Sequence, residues 1–214
     1  MNPLDQVPAD FLFALGTLRN ARCRSELRLD EIPAPGRLAP YAVALGAEVV
    51  VPGDTASGAI HGPAAAALAP ASGSDDVELA TGRFILLHDP EGSAVWDGEF
   101  RIVTYIRAQL EPDMGNDEML GSVAWTWLVE ALDNHQAEYR SAGGTATRVL
   151  SESFGTLADR PNTIDIELRA SWTPAGRDIT AHLEAWSDMV CTFAGLPPLP
   201  EGVSALPRRR PRQP

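Results

Sequence analysis

The segment from 164 to 172, IDIELRASW, carries a polar side chain at every second position, and three of the four are charged. Its polar members are Asp165, Glu167, Arg169 and Ser171, and apolar residues separate them. Such strict alternation is typical of a β-strand with one buried face. Guanidinium groups on the other face can bind carboxylates or phosphates through paired hydrogen bonds. The charged side is therefore either a working surface or the solvated face of a sheet.

Two further segments with β-alternation extend this charged side. We expect the outward set to be Arg101, Tyr105, Arg107, Arg148, Glu152, Asp165, Glu167 and Arg169. Cross-strand pairs of arginine and carboxylate are an ordinary way to finish a solvated face, and each exposed pair contributes only about 0–1 kcal/mol. In the alternative interpretation the face binds an anion or docks a partner. The residues predicted to bind are then Arg101, Tyr105, Arg107, Arg148, Glu167 and Arg169, with Trp125 on the flank of a helix.

Motifs for metal ligation and covalent catalysis are absent from the sequence. The histidines at 61, 88, 135 and 182 lack the spacing of a helical zinc motif, and no pair of cysteines lies close together. There is no G-x-S-x-G elbow, and a chain without lysine cannot form a phosphate-binding loop of the Walker type. His88 and Asp89 form either half of a catalytic pair or a turn-stabilising pair. We predict no catalytic residue, no metal site and no cofactor.

The charge of the chain is strongly negative, at -12, and all of its basic residues are arginine. An acidic body repels nucleic acids and anionic lipids. The exception is segment 201–214, which carries Arg208, Arg209, Arg210 and Arg212. We predict a disordered tail there; the alternatives are a tail that binds RNA or one that folds back on its own domain.

The compartment is predicted from what the sequence lacks. No run of about 18 apolar residues predicts a membrane span, and the start MNPLDQVPADF does not resemble a signal peptide. The two cysteines, Cys23 and Cys191, are too few for a disulfide framework. We therefore expect a cytoplasmic protein.

Hydrophobic periodicity predicts eight elements in the order α-β-β-β-α-β-β-α. Apolar residues recur at helical spacing in three segments and alternate in five. The predicted helices span 9–26, 117–140 and 178–195, and the predicted strands span 41–51, 80–90, 94–111, 145–154 and 164–172.

The predicted fold is a two-layer α+β domain. Closely spaced strands with one apolar side favour a five-stranded, mainly antiparallel sheet, with three helices on one face. We expect one domain over 1–200. A flexible insertion rich in Ala, Gly, Pro and Ser interrupts it at 52–76, and the arginine-rich tail follows it at 201–214.

Seven segments of the chain resemble one actinobacterial family of uncharacterised proteins, the domain of unknown function DUF3000, over most of residues 37–203. They are RLAPYAVALGAEV, ATGRFILLHDP, WDGEFRIVTYIRAQLE, GSVAWTWLVEALDNHQAEY, GGTATRVLSESFG, IELRASWTP and HLEAWSDMVCTFAGLPPLPEGV. The resemblance implies a cytoplasmic protein that is often encoded near a ribonuclease-D-like exonuclease. The element order alone is similar to the secretion-chaperone-like fold, whose members often form dimers and bind other proteins.

The sequence is compatible with three functions. The first is a non-catalytic protein-binding or chaperone-like adaptor with a protein partner or a second copy of itself. The second is an accessory factor in RNA metabolism, which would use the arginine tail and the sheet-face arginines. The third is an enzyme whose site is assembled from residues scattered along the chain.

Overall fold

The computed structural model describes residues 7–52, 76–110 and 117–196. In these ranges the chain forms three helices and six strands, with one short 3-10 turn at Gly155–Leu157. In chain order the elements are α1 (Ala9–Asn20), β1 (Leu27–Ile32), β2 (Tyr41–Pro52), β3 (Asp76–Ser93), β4 (Gly98–Leu110), α2 (Leu120–Asn134), β5 (Tyr139–Ser151), β6 (Thr163–Pro174) and α3 (Thr180–Phe193).

All six strands belong to one antiparallel sheet, in the spatial order β1-β2-β3-β4-β6-β5. This confirms the α+β class and the antiparallel sheet, but the prediction of five strands was wrong. The strand that was missed is β1, a six-residue edge strand in which Leu27 and Leu29 alternate with charged residues. A segment this short gives little periodic signal, and it is held by its pairing with β2.

The sheet buries one face and leaves the other open. In β6, the side chains of Ile166 and Leu168 are each only 1% exposed, and Trp172 is fully buried. These residues pack in a core shared with the three helices, whereas Arg169 between them is exposed. The predicted alternation of segment 164–172 is confirmed. The three helices lie on the side of the sheet to which the apolar residues of this segment point.

Helix α3 sits closely on the middle of the sheet because β3 has a glycine beneath it. A Cβ added at Gly82 would lie 2.7 Å from Cζ2 of Trp186, which is itself fully buried. The Trp186 ring also lies 5.5 Å from that of Phe84, the next inward residue on β3. The small residue therefore lets the indole ring approach the sheet.

Helix α2 is shorter than the predicted span of 117–140. It is closed by a Schellman motif, in which the backbone N–H of Ala137 donates to the carbonyl of Leu132 and that of Gln136 to Asp133. Gln136 occupies the left-handed position, at φ 54°. Glycine is the residue usually found at this position. Because the sequence has glutamine there instead, the end of the helix could not be predicted from the sequence.

Helix α1 ends at Asn20 instead of continuing through the predicted span of 9–26. The chain after it is anchored to α3, because the backbone N–H of Arg24 donates to Oγ of Ser187 at 2.8 Å. This anchor turns the chain toward β1.

Strands β2 and β3 pair as far as Pro52 and Asp76. The predicted insertion, 52–76, joins these ends, and its residues 53–75 lie outside the described ranges, as does the tail at 201–214. Among the helices described, none is long and apolar enough to cross a membrane.

Candidate binding face

The face of the sheet opposite the helices, here called the open face, is organised in rows by the strand register. One row brings together Arg83 of β3, Tyr105 of β4 and Arg169 of β6. The adjacent row contains Ile85, Val103 and Ser171 on the same three strands. Directly opposed side chains on neighbouring strands lie about 4.5–5.5 Å apart at Cβ, so each row forms a continuous strip of contacts.

Three of the predicted residues form one polar cluster. The hydroxyl of Tyr105 donates to Oε1 of Glu167 at 3.0 Å, and Nη2 of Arg169 donates to the other carboxylate oxygen at 2.7 Å. The guanidinium carbon of Arg169 also lies 5.2 Å from the centre of the Tyr105 ring. Burial, followed by the hydrogen bond to Glu167, raises the pKa of Tyr105. The cluster therefore fixes both carboxylate oxygens of Glu167.

Arg107 pairs with Asp165, a largely buried carboxylate of the open face. Its Nη2 donates to Oδ2 of Asp165 at 2.7 Å, and Asp165 is only 7% exposed. The hydrogen bond from Arg107 to Asp165 is the main reason that the pKa of Arg107 is raised. This pair satisfies both charges, so it contributes order to the face without a free ligand-binding group.

Arg101 is a partly buried cation held by neutral oxygen atoms. Its guanidinium donates to the carbonyl of Ser141 at 2.8 Å, to Oγ1 of Thr173 at 3.0 Å and to Oγ of Ser171 at 2.6 Å. The Ser141 carbonyl is available because β5 has a bulge there, with Ser141 at φ 52°. Burial lowers the pKa of Arg101. None of these partners neutralises its charge.

Arg83 is a residue of the open face that the sequence interpretation missed. It is exposed on β3 and opposes Tyr105, and the described residues give it no ion pair. The signal was available, since Arg83 is the one charged residue of the run ATGRFILL and alternates with inward Phe84.

A depression of about 620 Å³ lies over these rows, and we call it the arginine depression. Its lining combines two guanidinium groups with an apolar floor and a strand edge. The lining residues are Arg83, Ile85, Val103, Thr104, Tyr105, Gly143, Gly144, Arg169, Ala170 and Ser171. A second depression of about 500 Å³ adjoins it across Arg83 and Tyr105, toward β1. A cationic rim over an apolar floor suits a ligand with both acidic and apolar groups.

Arg148 does not belong to the open face, contrary to the prediction. It opposes the buried Ile166 in the β5–β6 register, so it points to the helix side. There its Nη1 donates to the carbonyl of Asp117, just before α2. Glu152, also expected on the outward set, follows the last residue of β5, Ser151.

Trp125 also lies on the helix side, half-buried on α2. A Cβ added at Gly144 of β5 would be 3.0 Å from Cζ3 of Trp125, so the indole covers this strand from the helix layer. Because β5 separates it from the arginine depression, Trp125 and the outward arginines do not form one surface.

His88 is buried within an aromatic cluster rather than at a turn. Its ring stacks at 4.3 Å on Phe100 and at 5.7 Å on Phe11, and neither ring nitrogen has a hydrogen-bond partner among the described residues. The geometry does not support a catalytic pair, and of the two residues only Asp89 stabilises the turn, because its Oδ1 accepts the backbone N–H of Glu91 at 3.1 Å. The histidine instead fills space between α1 and the sheet.

The other histidines join elements of the helix layer. Nε2 of His135, at the end of α2, lies 2.7 Å from Oδ2 of Asp188 on α3, and this contact is the main reason that the pKa of His135 is raised. Nε1 of Trp172 donates to Nδ1 of His182 at 3.2 Å, and burial lowers the pKa of His182 to about 4. A neutral His182 is the acceptor that this bond requires.

The cysteines are protonated thiols of the core and its margin. Burial raises the pKa of Cys23 to about 11 and that of Cys191 to about 12. Neither environment favours the thiolate needed for nucleophilic attack or metal binding. Within the described ranges, no three His, Cys, Asp or Glu side chains are grouped so that they could hold a metal ion.

Comparison with known proteins agrees with the family resemblance. No curated protein and no solved structure matches the chain. Residues 7–204 match the sequence profile of the family described as Protein of unknown function (DUF3000), which covers all nine helices and strands described here. The chain therefore belongs to the DUF3000 family.

Proposed function

We propose that the protein is a non-catalytic, chaperone-like or adaptor-type binding protein that docks a segment of another protein on its open face. The observation that carries this proposal is a strip of apolar side chains, Ile85 and Val103, bordered by the cations Arg83 and Arg101. Neither cation has a carboxylate partner among the described residues. The pattern offers a partner both apolar contact and unneutralised charge.

A face that serves only for solvation would use its arginines differently. The pairs Arg107–Asp165 and Arg169–Glu167 show that this sheet neutralises arginine charge with carboxylates of β6. Arg83 and Arg101 depart from that pattern, and they lie on either side of the apolar row of Ile85 and Val103. This local difference favours the docking interpretation over the solvated one.

Other ligands are less well matched to the face. Carboxylates such as Glu48 and Glu78 lie on the strands that flank the second depression, and burial together with Glu48 raises the pKa of Glu78. The described lining of the second depression mixes acidic and basic side chains, with Arg28 paired to Glu48 at 3.9 Å, and so lacks the continuous cationic track that favours a long polyanion such as RNA. The thiols Cys23 and Cys191 suit a reducing compartment, and we propose that the binding takes place in the cytoplasm.

The proposal can be tested with a photocrosslinking amino acid placed in the full chain inside cells. One variant carries it at Thr145, an exposed residue in the row of Arg169 on β5, and the control carries it at Thr126, an exposed threonine on α2. We expect a covalent protein adduct from position 145 and little from position 126. Equal yields from both positions, or no adduct from 145, would contradict docking on the open face.

A further inference from the structure

Arg101 borders the arginine depression, where it donates to Ser171 of the lining, and it stands at a fixed spacing from Arg83. Arg101 and Tyr105 are four residues apart on β4, and Arg83 opposes Tyr105 on β3. A strand advances about 3.4 Å per residue, so the row of Arg101 lies roughly 13–14 Å from the row of Arg83. The apolar row of Ile85 and Val103 lies midway between them.

This spacing equals that of alternate side chains in another extended chain. Residues i, i+2 and i+4 of an extended segment project to the same side, and its outer two are also about 13–14 Å apart. A segment lying along β4 would therefore present its middle side chain to Ile85 and Val103 while its outer two reach the cationic rows.

The charges around the depression select carboxylates for the outer positions. Among the described residues, the exposed Arg83 has no ion pair, and Arg101 is bonded only to Ser141, Ser171 and Thr173. Guanidinium groups with spare donors bind carboxylates through charge-assisted hydrogen bonds. Two separated cations on an otherwise acidic chain suit two single charges better than a polyphosphate.

We propose that the arginine depression, together with Arg101 at its border, binds an extended protein segment with the side-chain order acidic, apolar, acidic at alternate positions. One carboxylate is bound in the row of Arg83, the apolar side chain contacts Ile85 and Val103, and the second carboxylate is bound near Arg101. This inference rests on the proposed docking function and names the chemistry of the docked segment.

The test measures fluorescence anisotropy of a labelled peptide with the core Glu-Thr-Val-Thr-Glu mixed with the full chain. A second peptide has Gln in place of both Glu residues. The protein variants are Arg83→Gln and, as a matched control, Arg19→Gln, since Arg19 is an exposed arginine on α1. We expect Arg83→Gln and the Gln peptide each to weaken binding about tenfold or more, which corresponds to about 1.4 kcal/mol. Arg19→Gln should bind the acidic peptide like the wild type.

Three results would overturn the inference. These are no binding of the acidic peptide, equal binding of the Gln peptide, and an Arg83→Gln variant that binds as tightly as the wild type. A labelled single-stranded RNA that binds at least as tightly, and is weakened by Arg83→Gln, would reassign the depression to phosphates. The docking function is judged separately by the adduct from Thr145. An adduct that proves to be a dimer of this chain would contradict both proposals.

Discussion

Replacing adjacent residues of β6 provides a quantitative test of the two faces of the sheet. Leu168 is 1% exposed and belongs to the shared core, so Leu168→Ala removes three buried carbon groups. At about 0.8 kcal/mol for each group, the transfer loss is about 2.4 kcal/mol. The cavity left behind brings the total to about 3–5 kcal/mol.

Arg169→Ala changes the next residue, which points to the open face. It removes an ion pair to Glu167, in which the side chain of Arg169 is 59% exposed, and the contact with the ring of Tyr105. The exposed pair contributes about 0–1 kcal/mol, and the cation–ring contact about 0.5–1 kcal/mol. The expected loss of unfolding free energy is therefore roughly 1 kcal/mol.

Urea unfolding followed by the fluorescence of the five tryptophans measures both losses. Thermal unfolding should show the same contrast, because 1 kcal/mol shifts Tm by about 2–4 °C in a chain of this size. Equal losses for Leu168→Ala and Arg169→Ala, or a larger loss for Arg169→Ala, would refute the assignment of the two faces.

Three further predictions concern the helix layer. Gly82→Ala should lower the free energy of unfolding by about 1–3 kcal/mol because the added Cβ meets Trp186, and an unchanged urea midpoint would contradict that contact. The raised pKa of His135 means that its pairing with Asp188 stabilises the fold fully below pH 6.5 and is lost as pH rises through the raised value. His135→Gln should therefore reduce the urea midpoint on the acid side only, and an equal reduction at alkaline pH would contradict the pairing. The lowered pKa of His182 predicts the opposite pH dependence, a loss of unfolding free energy as pH falls from 6.5 to about 4. In His182→Gln the unfolding free energy should therefore change less over this pH range, and the same change as in the wild type would contradict the prediction.

The faces of the sheet were predicted correctly where polar and apolar residues alternate strictly along a strand. In β6 every inward residue is apolar, so a shift of one residue would bury charges, and the observed faces follow the pattern. Helix α3 was predicted within two residues at each end, and its C-terminal end was marked by Gly195, which fills the left-handed position after the helix at φ 76°.

Strand β5 shows where the pattern was too weak to assign the faces. Its run from Gly143 to Thr147 contains only small residues, which define no apolar side, and a bulge at Ser141 shifts the register. Arg148 was therefore assigned to the wrong face of the strand. An edge strand can tolerate an arginine on the helix side because that side chain still reaches solvent and the carbonyl of Asp117.

The candidate site was predicted in part. The alternation of β4 and β6 was sufficient to place Arg101, Tyr105 and Arg169 on one face. The partners of Arg101 could not be predicted, since the carbonyl of Ser141 becomes available only through a bulge on a strand distant in sequence. Arg83 was overlooked because it is the single charge of the run ATGRFILL.

Chemical modification of arginines most directly tests whether the open face is covered by a partner. Phenylglyoxal reacts with accessible guanidinium groups, and its reaction at Arg83 can be compared between the purified chain and a native cell extract. Arg19, exposed on α1, serves as the internal control. We predict that Arg83 is protected in the extract and reactive after purification, while Arg19 reacts equally in both. Equal reaction of Arg83 under the two conditions would contradict a docked partner on the open face.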